Sequence, residues 1–78
     1  MENIGVECRF AADGGVQVQR ILQDDRWLVV EQGRQWLDEQ GRHVLVLVQG
    51  SRPREIILLR ESLRWVTRPG GAPGVYVA

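Results

Sequence analysis

Gln40-Gly41-Arg42-His43-Val44-Leu45-Val46-Leu47-Val48-Gln49-Gly50-Ser51 is the stretch on which the fold turns. Five apolar residues, three of them valine, stand between two Gly-containing turn signals. The run is too short for an independent helix, and valine's branched Cβ suits a pleated sheet. It predicts a strand over 42–48. A half-buried strand alternates apolar and polar residues, but this one has no polar row. Ile56-Ile57-Leu58-Leu59 repeats the anomaly. One small sheet covers only one face of each strand, and large exposed apolar patches are uncommon on soluble monomers. The second face therefore needs a cover. The candidates are a helix, the C-terminal tail, a tightly coiled barrel with Trp36 or Trp65 folded over, or a second copy of the chain.

Outward from this stretch, turn signals recur at intervals of about 8 to 11 residues, the spacing of an all-β barrel or sandwich. They are Asp13-Gly14-Gly15, Asp24-Asp25, Gln32-Gly33, Gln40-Gly41, Gln49-Gly50-Ser51 and Glu61-Ser62. Asp13-Gly14 suits a type I′ hairpin. Ile4, Val6, Cys8 and Phe10 alternate with Glu7 and Arg9, and Val16 and Val18 alternate with Gln17 and Gln19. Further strands are expected over 26–31, 34–38, 54–60 and 63–67. Tight connections make sequential strands pair antiparallel as a meander. Residues 51–66 leave a helix open, with Ser51 as N-cap, Pro53 in the first turn and Ile56, Leu59, Leu63 and Val66 as a stripe. Ile56-Ile57 and Leu63-Arg64-Trp65-Val66 favour strands.

The expected architecture is thus all-β: a small antiparallel meander or barrel of five to seven short strands, SH3-like in size. Residues 1–68 form one domain, and 69–78 form a flexible Pro/Gly-rich tail, within which Val75-Tyr76-Val77 offers a strand to a sheet edge. The expected core is Ile4, Val6, Phe10, Val16, Val18, Val29, Val44, Val46, Ile57, Leu59 and Trp65.

Composition excludes more than it names. The chain has 78 residues, with 44% hydrophobic and zero formal charge from ten basic and ten acidic side chains. All ten basic residues are arginine. Without lysine there is no Walker A loop, Schiff-base lysine or Ser-Lys dyad. The single Cys8 forms no internal disulfide, which fits a cytoplasmic protein. The first residues lack a basic region followed by a long apolar one, so no signal peptide is read there. No apolar run approaches a membrane span, so a soluble protein without a membrane partner is expected.

Candidate chemistry is sparse. His43, the only histidine, reads as a strand-edge residue beside Gln40-Gly41, with no obvious carboxylate partner in local sequence. Cys8 lies in phase with Ile4, Val6 and Phe10 and reads as a small core residue rather than as half of a dyad with His43. One Cys and one His fall short of a zinc site, and Asp24-Asp25 and Asp38-Glu39 lack calcium-loop spacing. Both acidic pairs suit turn tips, where carboxylates bond the local backbone. Ser51 and Ser62 lie outside any nucleophile elbow. We expect no catalytic residues, metal or cofactor.

The neutral sum hides an asymmetry. Residues 1–41 carry four Arg against eight acids, and residues 42–78 carry six Arg against two. By strand parity, Arg54 and Arg60 share a face, as do Arg64 and Arg68. With Trp65 and Trp36 they form a candidate interaction face. Arginines beside an aromatic can track a phosphate backbone and stack on bases. The plainer alternative is a solvated surface on which the charges cancel.

Gly33-Arg34-Gln35-Trp36 and Asp38-Glu39-Gln40-Gly41-Arg42-His43, followed by Glu55-Ile56-Ile57-Leu58 and Leu63-Arg64-Trp65, resemble a group of small uncharacterised bacterial domains. Those show a Gly-Arg-x-Trp…Asp-Glu-x-Gly-Arg-His segment, then a strand, then a closing Trp strand. The resemblance covers roughly residues 25–68. The group's upstream aromatic Gly-Arg-x-Tyr pattern is replaced here by Asp25-Arg26-Trp27. Some members are encoded near error-prone DNA polymerase genes. The resemblance implies a small all-β domain and a DNA-repair context, and it brings no catalytic motif.

Three functions follow as expectations. The leading one is a non-catalytic interaction module that binds a protein partner or itself as a homodimer. The rival is a nucleic-acid-associated accessory domain using Arg54, Arg60, Arg64 and Trp65. The third is an enzyme of unrecognised type, which a pocket holding His43 and a carboxylate would support.

Overall fold

The computed structural model describes residues 2–67. Arg68, the tail 69–78 and the strand offered by Val75-Tyr76-Val77 lie outside the described residues. Seven strands follow one another without a helix among the described residues: β1 Glu2–Asn3, β2 Gly5–Phe10, β3 Val16–Gln23, β4 Arg26–Leu37, β5 Gly41–Val48, β6 Pro53–Leu59 and β7 Trp65–Thr67. All pairings are antiparallel, in the order β1-β7-β6-β5-β4-β3-β2. From β2 to β7 this is the expected meander. β1 and β2 stand at opposite margins yet are joined through Ile4 alone. Glu2 and Asn3 pair with Thr67 and Val66, and the Ile4 N–H donates to the Trp65 carbonyl at 3.0 Å. From Gly5 the same run pairs with β3. The sheet therefore curls until both margins share one stretch of chain, giving a half-barrel.

The helix left open over 51–66 does not form. Pro53 begins β6, where its missing N–H costs little, and strand pairing with β5 runs to Leu59. The type I′ turn expected at Asp13-Gly14 is replaced by a longer loop. There Asp13 Oδ1 accepts from the Gly15 N–H at 2.8 Å, and Gly14 alone takes a positive φ, 89°. The paired positive-φ residues are Asp24 and Asp25, at 52° and 62°, in the β3–β4 turn.

Gln32-Gly33 is not a turn. Strands expected at 26–31 and 34–38 merge into β4, with an irregularity between Gln32 and Gln35. Such a bulge bends a strand and re-aims its side chains. β4 pairs with β3 only from Arg26 to Val29, so the start of β3 has parted from it. Two glutamine side chains fill the gap. The Gln35 amide accepts from the Val16 N–H at 3.0 Å and donates to the Val16 carbonyl at 2.8 Å. Gln32 donates to that same carbonyl at 2.8 Å and accepts from the Val18 N–H at 2.6 Å. Side-chain amides thus complete a ladder that the backbone has left.

The main core joins Val16, Val18, Ile21, Val30, Val44, Val46 and Ile56, with Ile4, Val6, Cys8, Leu28, Val48 and Trp65 packed against it. Two expected core residues are exposed. Val29 is 74% exposed because Val30 faces the core, which turns its neighbour outward. Phe10 is 57% exposed at the far end of β2, on the margin of the sheet. Ile57 is fully buried but lies on the opposite row from Ile56. Leu59 and Trp65 are half-buried. Burial raises the pKa of the Cys8 thiol. Among the described residues no helix is long and apolar enough to cross a membrane.

Candidate functional site

The row of β5 and β6 that faces away from the main core is not apolar throughout. It carries His43 and Glu55, each 2% exposed, beside buried Ile57 and Val66. The expectation of a strand-edge histidine is corrected here. The hairpin register pairs His43 with Ile57 and Leu45 with Glu55, so Glu55 is the diagonal neighbour of His43 on one face. His43 Nδ1 is bonded to Glu55 Oε2. Trp36, paired with His43 across β4–β5, stacks on the imidazole at 5.1 Å between centroids and 7° between planes. Nε2 lies 2.8 Å from Asp38 Oδ2, within ion-pair reach but without the alignment of a hydrogen bond.

Asp38 is itself a turn residue, as its place before Gly41 suggests. Its Oδ1 accepts from the backbone N–H groups of Gln40 and Gly41, at 2.8 and 3.3 Å. The imidazole contact holds the Asp38 carboxyl below the usual carboxylate range. The two backbone donors add to this, and desolvation opposes it. Local sequence concealed this cluster, because Glu55 reaches His43 only through the β5–β6 register.

Asp38 is also one wall of a groove. A cavity of roughly 460 Å³ opens where the β4–β5 and β6–β7 turns meet. Leu37, Leu58, Leu59 and Leu63 supply its apolar lining, and Arg42 and Arg60 flank it. Two features fix its shape. Gly41 has φ +148°, and a Cβ there would lie 2.0 Å from the Leu58 carbonyl oxygen, so only glycine lets the strands close. The Arg60 N–H donates to the Gln40 carbonyl at 2.7 Å and ties the two turns together. Leu63 has φ +57°, an unusual conformation for a leucine, and is 73% exposed; Leu37 is 66% exposed. His43 does not line this groove. Among the described residues no group of three or more His, Cys, Asp or Glu is arranged to hold a metal.

The expected interaction residues are dispersed. Arg60 and Arg64 both sit in the β6–β7 turn rather than on strands, so strand parity does not apply to them. Arg54 is near the other end of β6, where its guanidinium donates to Gln23 Oε1 at 2.6 Å. Trp65 pairs with Leu58 and packs against the main core, whereas Trp36 lies on the opposite row with His43 and carries Arg34 over its ring. The structure thus brings Arg60, Arg64 and the start of β7 together, leaves Arg54 near the other end of β6, and turns Trp36 to the row opposite Trp65. Arg68 is outside the described residues. Sequence reasoning missed Leu37, Leu63 and Arg42 as groove residues. Their common signal is that they lie at two turns that the β5–β6 register and the Arg60–Gln40 backbone bond bring together. Comparison with protein-family models, with curated proteins and with solved structures finds no match, so the fold and this geometry carry the functional reading.

Proposed function

We propose that this protein is a non-catalytic interaction module whose end groove takes an apolar segment of a partner protein. The observation that carries the reading is Leu63. A leucine held at positive φ costs on the order of 1–3 kcal/mol, and exposing it recovers nothing through burial. Strain of this kind tends to persist where it serves a contact. Here it holds an apolar side chain at the lip of a leucine-lined groove, opposite the equally exposed Leu37. Arg42 and Arg60 give the rim polar contacts, as expected around an apolar centre. The buried His43–Glu55 pair lies behind this site, with His43 Nε2 at ion-pair distance from Asp38.

Selection from a phage-displayed library of random twelve-residue peptides tests the reading. Selected peptides should share apolar anchors. Their NMR shift changes should centre on Leu37, Leu59 and Leu63, and Leu63→Asp should abolish binding. Failure to select any peptide, or binding that maps elsewhere, refutes it. The nucleic-acid alternative draws support only from Arg60 and Arg64. It requires a low-salt gel shift with short oligonucleotides that fades steeply as salt rises.

A further inference from the structure

From the edge strand β2 we infer that two copies of this chain pair antiparallel along β2 about a two-fold axis at Cys8. This surface is separate from the groove. Among the described residues β2 ends the strand order and has β3 as its only strand neighbour. It is six residues long and contains no proline. The irregularity in its pairing puts the extra residue, Gln19, on β3, so β2 itself is regular. Native edges of this length are usually guarded or used.

The backbone direction follows from the glutamine bonds. Val16 and Val18 point their polar groups toward Gln35 and Gln32, away from β2. In an antiparallel ladder their partners Phe10 and Cys8 then point theirs outward. By alternation Val6 does the same. Three residues therefore turn their N–H and C=O groups outward, where no strand among the described residues meets them.

Side chains select the register. Centring the two-fold on Cys8 sets Val6 opposite Phe10, Glu7 opposite Arg9 and Cys8 opposite itself, with about six backbone hydrogen bonds. Centring it on Glu7 sets Glu7 against Glu7, and centring it on Arg9 sets Arg9 against Arg9. Like charges directly opposed are destabilising. Only the Cys8 centre makes two opposite-charge pairs. It uses Arg9, which is exposed and makes no ion pair among the described residues. It extends Glu7, which Arg20 holds at 2.5 and 2.8 Å, into an Arg–Glu–Arg row. It also covers Phe10, which the single chain leaves exposed although it lies in the core-facing row, with the partner's Val6. Isologous two-fold contacts are the commonest way for such an edge to close.

Sedimentation of the full chain, with charge exchange, tests the pairing. Wild type at micromolar concentration should run at twice 8.9 kDa. Diamide, which takes up the two hydrogens lost by two thiols, should trap a disulfide dimer that Cys8→Ser abolishes, since facing Cα atoms lie about 5.5 Å apart. Arg9→Glu should weaken self-association about tenfold or more while leaving the circular dichroism unchanged. Glu7→Arg combined with Arg20→Glu keeps the pair within the chain and should also be monomeric. Mixing these two variants should restore a one-to-one dimer, because every facing pair is then opposite in charge. A monomeric wild type overturns the inference. So does a dimer indifferent to Arg9→Glu, or variants that fail to recombine. A dimer abolished instead by Leu63→Asp would place the second copy in the groove and overturn it as well.

Discussion

Replacing Gln32 and Gln35 with leucine, singly and together, should reveal a coupling that the geometry fixes in advance. Gln35→Leu removes the acceptor that meets the Val16 N–H, and Gln32→Leu does the same for the Val18 N–H. Both valines are 3% exposed. An orphaned buried backbone group costs about 1–3 kcal/mol, so each single change should destabilise by about 2 kcal/mol. The Val16 carbonyl is different. It accepts from both side chains, so either single variant leaves it bonded. Only the double variant orphans it. The double change should therefore exceed the sum of the singles by about 1–3 kcal/mol. Gains from the added apolar surface enter each variant alike and cancel in the cycle. Urea unfolding followed by tryptophan fluorescence gives the three differences, with unchanged slopes confirming comparable unfolded states. An osmolyte background keeps the double variant folded enough to measure. Additivity within about 0.5 kcal/mol would refute the claim that two amides share one carbonyl.

Other consequences are as direct. Glu55→Ala leaves His43 without its buried carboxylate and should cost about 3 kcal/mol or more in a thermal or urea melt; His43→Phe with Glu55→Leu should recover much of that loss. Leu63→Asn, which tolerates positive φ, should raise stability by about 0.5–1 kcal/mol while weakening peptide capture in the same groove, a trade that simultaneous melting and binding titrations would expose. Because the folded-state pKa of Asp38 is depressed, its contribution is present above the ordinary carboxylate range and lost as pH falls through the lower folded value. The melting-temperature gap between wild type and Asp38→Asn should therefore shrink as pH falls through and below the ordinary carboxylate range; a constant gap would mean that Asp38 makes no charge-dependent contact.

Much of the fold was legible because turn chemistry and β-branched runs are local signals. The meander, the strand expected at 54–60 and found at Pro53–Leu59, and the core residues Val16, Val18, Val44 and Val46 all follow from them. Misreadings arose where a neighbour outside the local window decides. Gln32-Gly33 resembles a turn, yet it marks a bulge, because β3 has drawn away and needs the two amides. Val29 and Val30 are equivalent in sequence, and the β3–β4 register chooses between them by setting Val29 opposite Arg20 and Leu28 opposite buried Ile21. Phe10 alternates correctly, but nothing in its own strand shows that the sheet ends there. His43 lacked a visible partner because hairpin register, and not sequence distance, sets Glu55 beside it. The groove was hidden for the same reason, being assembled from two turns.

These failures share a cause that also explains the polar residues inside. A one-residue slip moves every side chain of a strand to the other face. In an alternating strand that exposes the whole apolar set and is forbidden. Within Val44–Val48, and within Ile56–Leu59, both rows are apolar, so a slip exchanges one aliphatic residue for another and hydrophobic burial alone barely resists it. His43 and Glu55 do resist it. Slipped, each would face the wrong row without the other, a buried imidazole or carboxylate stranded at a cost of several kcal/mol. Gln32 and Gln35 perform the same service across the β3–β4 gap, since no other offset meets the Val16 and Val18 backbone. The apolar runs thus supply the driving force but are indifferent to register. Four buried or half-buried polar side chains choose the register and so place Leu37, Leu63 and the two turns that make the groove.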